Sequence, residues 1–146
     1  MTDYANRGKE AEGLVKKHLA KLSTQSDFTF YRFPDARAGS LQTAPADFML
    51  LHKGQLILLE VKQVEHSYRL PHQNLTQTPK LVRYEMAGAK SYVLVYFRPD
   101  KCWRIAPVDF FKFKSGGSWD MRSIEVTTLE LAIGNILETE NEAHNT

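Results

Sequence analysis

Asp47, Glu60 and Lys62 are the residues of this 146-residue chain whose types and spacing point most directly to chemistry. Asp47 heads the apolar run Phe48-Met49-Leu50-Leu51, and Glu60 and Lys62 interrupt a second run that begins at Leu56. Between the runs, Lys53-Gly54 is a hairpin-turn signal. If His52 pairs with Gln55, the ladder brings Asp47 opposite Glu60. Facing residues leave the same side of a sheet with Cβ atoms about 4.5–5.5 Å apart. Glu60 and Lys62 alternate with Val61 and therefore share that side. Two carboxylates meeting in apolar surroundings repel, and one is driven toward its protonated form. A divalent cation removes the conflict. Oxygen ligands at a partly hydrated position suit Mg²⁺, and the Val61 carbonyl is a further oxygen beside the carboxylates. Lys62 would then orient the attacking water or neutralise a phosphate, while the cation lowers the pKa of bound water and stabilises transition-state charge. The plainer alternative is a Lys62–carboxylate ion pair without metal, which a Glu-x-Lys spacing alone favours because such pairs are common and weak. The facing Asp47 tips the balance to a metal site.

The elements that must position these groups are legible in outline. Ala11, Leu14, Val15, His18, Leu19 and Leu22 recur at helical spacing and predict a helix over 6–22. Residues 28–33 predict a strand, and 34–45, with its Pro, Gly and Ser, a loop. Strands follow at 47–52 and 55–64. Thr78 reads as an N-cap and Pro79 as the first residue of a second helix that stops at Gly88. Residues 91–97 and 102–106 predict strands, 107–113 a short helix, and 115–118 a loop. Thr127 or Thr128 would cap a last helix through Leu137, leaving 138–146 as a polar, disordered tail. The expectation is one domain over 1–137 in the α/β (α+β) class, a central mixed β-sheet flanked by helices.

Composition excludes several classes. Hydrophobic residues are 42% and charged residues 25%, an ordinary globular balance. No apolar run is long enough to span a bilayer, and the polar start is not a secretory signal, so the expected location is cytoplasmic. Cys102 is the only cysteine, so an intrachain disulfide and a cysteine zinc cluster are both excluded. A net charge of +2 is too small to announce a nucleic-acid binder unaided.

Asp47 followed by Glu60-Val61-Lys62 resembles the PD-(D/E)xK nuclease motif, with Ala46-Asp47 in place of Pro-Asp. Asn6-Arg7-Gly8 with Glu12 and Leu14, the Leu70-Pro71-His72-Gln73-Asn74-Leu75 segment and the strand Tyr92–Phe97 extend the likeness to the RecU-type Holliday-junction resolvases, over residues 6–131. That resemblance implies a restriction-endonuclease-like fold, a homodimer, Mg²⁺ or Mn²⁺, and paired nicking of four-way DNA junctions. It makes Asp47 and Glu60 metal ligands, Lys62 the catalytic lysine and Gln73 a residue that orients water or the metal shell. A first-helix glutamate completes the set, with Glu12 favoured over Glu10. The chain departs from the family in two places. Ala44-Pro45-Ala46 carries no hydroxyl before the aspartate, leaving Ser40 or Thr43 as substitutes, and the segment 37–43 is short for the projection that enters a junction.

Candidate phosphate contacts are Arg7, Lys9, Arg32, Arg37, Arg69, His72, Lys80 and Arg83, with Arg69 and Arg37 foremost. Lys80 and Arg83 share a helix face. Two other readings stand beside a resolvase: a repair or restriction-type nuclease acting on other DNA, and a non-catalytic DNA-binding module of the same fold.

Overall fold

The computed structural model describes residues 3–34, 44–112 and 116–145, with side chains from Glu10 to Glu138 within those ranges. Arg37, Ser40 and Thr43 lie outside the described residues, as does the side chain of Arg7.

Helix α1 (Asp3–Leu22) starts earlier than its apolar stripe predicts. Ala11, Val15 and Leu19 are fully buried, whereas Leu14 is 41% exposed. At helical spacing Leu14 falls on the flank of the stripe away from Leu19, which explains why it escapes the core. Strand β1 (Phe28–Arg32) pairs antiparallel with β2 (Phe48–His52), and β2 with β3 (Gln55–Val64). The β2–β3 register runs from His52 opposite Gln55 to Phe48 opposite Leu59. Lys53 (φ 50°) and Gly54 (φ 84°) both take the left-handed conformation that a two-residue hairpin turn requires. One step past the ladder's last pair, Asp47 stands opposite Glu60, as the residue arithmetic demands.

Helix α2 (Thr78–Met86) crosses over to β5 (Lys90–Phe97), which lies parallel to β3 with Glu60 beside Val93 and Lys62 beside Val95. Buried Ser91 joins the two elements, its hydroxyl donating to the Leu81 carbonyl at 3.1 Å. Pro79 occupies the first turn of α2 as expected, but Thr78 is not the cap: Gln77 holds that place without a side-chain bond. Strand β6 (Cys102–Pro107) completes the sheet, whose order is β1-β2-β3-β5-β6. A separate ribbon pairs β4 (Arg69–Pro71) with β7 (Ser118–Asp120). The short helical turn after β6 spans Val108–Phe111. The last helix, α3 (Leu129–Asn145), is capped by Thr128, whose Oγ1 accepts the Leu131 amide at 3.2 Å. Its backbone continues well past Leu137. The polar segment beyond that point holds no Gly or Pro to stop it, so polarity alone misplaced the end.

Alternation along β3 divides two cores. Ile57, Leu59 and Val61 pack with Val15 and Leu19 of α1 and Ile133 of α3. Leu58 and Val64 face the other way, packing with Leu81, Val95, Phe97 and Trp119. Burying apolar surface on both faces is what lets a strand of this composition sit at the centre. Glu60 and Lys62 lie on the Leu58–Val64 side by the same alternation, so an otherwise apolar layer receives two charges.

Candidate active site

The charged groups gather where β2 ends and β3 continues. Asp47 Oδ2 accepts the backbone N–H of Val61 at 2.8 Å. The β2–β3 ladder stops at Leu59, so Asp47 supplies with its side chain the acceptor that a longer β2 would have supplied with its backbone. In an extended strand a residue's N–H and C=O leave the same edge. The Val61 carbonyl therefore belongs to the edge that Asp47 caps.

Glu60 is 1% exposed, and neither of its side-chain oxygens has a hydrogen-bond partner. Lys62 lies against it, with Nζ 3.0 Å from Oε2. That contact is an ion pair rather than an aligned hydrogen bond. Leaving a buried carboxylate so poorly satisfied is costly. Asp47 feels the consequence: burial first, and then the Glu60 charge, push its pKa up to about 6 against the partial relief of the Val61 N–H. Glu12 reaches Asp47 from α1, and its pKa is likewise raised, by burial and then by Asp47. Arg32 opposes that rise, its Nη2 lying 3.0 Å from Glu12 Oε2. Glu10 points elsewhere and pairs with Arg98 at 3.2 Å. Between the two first-helix glutamates, it is Glu12 that the fold brings to Asp47.

An open cleft of about 460 Å³ lies in front of these groups, walled by Glu12, Asp47, Val61, Lys62, Gln63, Glu65, His66, Arg69, Pro71 and Asn74 among others. Gln63 ties α1 to β3: its Oε1 accepts the amide of Ala11 at 3.0 Å, next to Glu12. Gln73 does not line the cleft; it is exposed on a short turn (His72–Asn74), and its neighbour Asn74 faces the cleft instead. His72 is also outside. Its ring packs 4.1 Å from that of Trp119, and its Nε2 is buried without a partner. Lys80 and Arg83 sit on α2, away from the cleft wall. Arg69 is in the wall, as expected. Sequence reasoning missed Gln63, His66 and Asn74. Alternation hides Gln63, which falls on the face opposite Lys62, and nothing local marks the other two.

The residues fit a divalent cation. Among the described residues no three His, Cys, Asp or Glu side chains form a ready cage. The available set is two carboxylates and a backbone carbonyl, which suits an ion that keeps much of its water, as Mg²⁺ does. Lys62 reaches only Oε2 of Glu60, and the buried Oε1 without a partner is the observation that speaks for such an ion beside the ion pair.

No protein-family model matches the chain, and no curated protein matches it by sequence. Solved structures do. The Holliday junction resolvase Hjc of the archaeal hyperthermophile Archaeoglobus fulgidus superposes with a TM-score of 0.55 at 22% identity, over 77% of this chain and 88% of its own. The bacterial homing endonuclease I-Ssp6803I superposes with a TM-score of 0.50 at 14% identity, over 96% of both chains. The fold is restriction-endonuclease-like. At these identities the likeness concerns architecture, and the chemistry rests on the residues above. Among the described residues, no helix is long and apolar enough to cross a membrane.

Proposed function

We propose that this chain is a divalent-cation-dependent endodeoxyribonuclease of the PD-(D/E)xK kind, acting as a RecU-type resolvase that nicks four-way DNA junctions near the branch point. The observation that carries the nuclease reading is Glu60: a carboxylate buried behind an open cleft that Asp47 and Lys62 line, with Oε1 unpartnered, Oε2 against Lys62 and a second carboxylate of raised pKa beside it. Such a cluster is destabilising unless a cation or a substrate uses it.

Asp47, Glu60 and the Val61 carbonyl would hold Mg²⁺ or Mn²⁺, which when bound supplies an activated water and neutralises charge on the phosphate. The Val61 N–H fixes Asp47 through Oδ2, and Glu12 also bonds to the Asp47 carboxyl. Lys62, with its side chain 22% exposed, is anchored by Glu60 and faces the cleft, where its ammonium meets a non-bridging phosphate oxygen or orients the water. Glu12 shares the load on Asp47 and takes part in the proton balance around that carboxylate. Paired nicks across a junction call for two such sites, hence a homodimer. The location that follows is the cytoplasm, where bacterial or phage DNA is recombined.

The junction preference rests on the similarity to RecU-type sequences, with the likeness to an archaeal resolvase beside it. The extensive overlap with a homing endonuclease supports a second reading, cleavage of linear duplex. A cleavage assay on a four-way junction and a linear duplex of matched sequence, with and without Mg²⁺, separates them. The expected result is metal-dependent paired nicks in the junction. Asp47→Asn, Glu60→Gln and Lys62→Ala should each abolish cutting while DNA binding persists. Equal cutting of both substrates would remove the resolvase assignment, and wild-type rates in any of these variants would remove the site.

A further inference from the structure

The cleft has two chemically different ends. Glu12 and Asp47 form an acidic end that only a cation can make hospitable to DNA. His66, Arg69 and Asn74 form the other, and the groups they can offer a ligand include hydrogen-bond donors. Glu65 also lines the cleft, but its carboxylate pairs with Arg98 at 3.3 Å.

Arg69 is the charged member of this donor end. Its Nη1 donates to the Ser118 hydroxyl at 3.2 Å, and its guanidinium lies 5.3 Å from the Tyr68 ring centroid. The acid opposite it across the ribbon, Asp120, is occupied by Arg122 at 2.6 Å. Asp120 is thereby held at a pKa of about 2, chiefly by Arg122 and only slightly by Arg69. No carboxylate among the described residues forms an ion pair with Arg69. Beside it, His66 Nδ1 accepts the amides of Tyr68 and Arg69 at 3.2 and 3.3 Å. With Nδ1 acting as acceptor, Nε2 is the ring nitrogen left to donate.

The turn that carries these groups is held from behind. Arg104, 9% exposed, donates to the Ser67 and Ile124 carbonyls, both at 2.9 Å, and the Met121 amide donates to Tyr68 O at 2.9 Å. A guanidinium that forms no ion pair among the described residues, fixed beside further donors on a braced turn, is a prearranged receptor for an oxyanion.

We infer that His66, Arg69 and Asn74 form a subsite for a DNA backbone phosphate neighbouring the scissile one that Lys62 meets. The inference rests on the nuclease reading for its neighbour at Lys62, but its own content is a phosphate contact, which binding measures without cleavage. Labelled duplex and four-way junction are titrated with Ca²⁺ in place of Mg²⁺ over a series of NaCl concentrations, reading anisotropy. Losing one phosphate contact shallows the log–log salt slope by about 0.9, which makes the affinity lost between about 50 and about 200 mM salt some threefold to fourfold smaller. Arg69→Ala should show that change. Arg69→Lys, which keeps the charge, should restore the slope. His66→Asn keeps an acceptor near the turn but removes the Nε2 donor, and should weaken binding with the slope unchanged. Lys90→Ala, at the far end of β5, should match wild type in both respects.

A neutral methylphosphonate linkage stepped along the strand should weaken wild-type binding at one position to which Arg69→Ala is indifferent. An Arg69→Ala protein with the wild-type slope, or one as sensitive as wild type at every linkage, overturns the subsite, and so does a wild-type protein that binds no DNA. If wild type cuts nothing with Mg²⁺ or Mn²⁺ but the Arg69 signature is present, the subsite stands and the catalytic reading falls.

Discussion

Replacing Asp47 by Asn isolates the energetic cost of the acidic cluster. The Asp47 carboxyl has a pKa near 6 in the folded chain, against an ordinary 3.8. A group raised on folding favours the folded state fully below its unfolded value and loses that contribution as pH rises through the folded one. Here the loss runs from about pH 4 to just above about pH 6. At about 1.36 kcal/mol per pH unit, ionised Asp47 disfavours the metal-free fold by up to about 3 kcal/mol, an upper bound because neighbouring groups relax. An asparagine keeps an oxygen for the Val61 amide and offers Glu12 a donor, while removing the charge that faces Glu60. In EDTA, urea unfolding of D47N at about pH 8 should therefore show greater stability than wild type, by on the order of 1–3 kcal/mol, and the difference should vanish at about pH 4. Saturating Mg²⁺ should narrow the difference, because a ligand of the folded state stabilises wild type more than a variant that has lost a ligand. If D47N is no more stable than wild type at the higher pH in EDTA, the carboxylates do not oppose each other and the metal-site argument loses its basis.

Other perturbations test the supports of the site. Gln63→Ala removes the acceptor of the Ala11 amide, so stability should fall by about 1 kcal/mol in urea titration, with faster hydrogen exchange at Ala11. Arg104→Ala leaves the Ser67 and Ile124 carbonyls without their donor and empties the place against the Phe97 ring, 4.7 Å away. A loss of about 3 kcal/mol is expected, together with the Arg69 salt-slope change, since the turn bearing Arg69 loses its brace. Glu12→Ala should raise the pH at which Asp47 titrates, because the hydrogen bond from Glu12 helps to hold Asp47 in its charged form; carbon-detected NMR titration of the Asp47 carboxyl reads this directly.

The hairpin was legible because its turn is explicit: Lys53-Gly54 admits a two-residue loop, and side-chain alternation then fixes every facing pair down to Asp47 and Glu60. The sheet, its parallel crossover and the helices follow from runs long enough to show a period. The β4–β7 ribbon was not legible, since each strand is three residues long and its two halves are joined only in space, as Arg69 and Ser118 are. His66 and Asn74 gain their meaning from that ribbon and so were invisible with it. Gln73 illustrates the opposite case: it was named from a family resemblance, but it is exposed on a short turn and its neighbour Asn74 lines the cleft. The end of α3 was missed because polarity was taken for fraying where nothing halts the helix.

The order in which strands meet has a kinetic consequence. Asp47 and Glu60 come together within a local hairpin, whereas β5, which packs beside Glu60, arrives after an intervening helix. In an isolated hairpin both carboxylates remain hydrated, and their repulsion is screened. The electrostatic penalty arises late, when β5 and α1 close over the pair and expel water. A cation bound as proposed would find no high-affinity position in the nascent chain, so its grip would be expressed as slower opening of the finished molecule rather than as faster assembly.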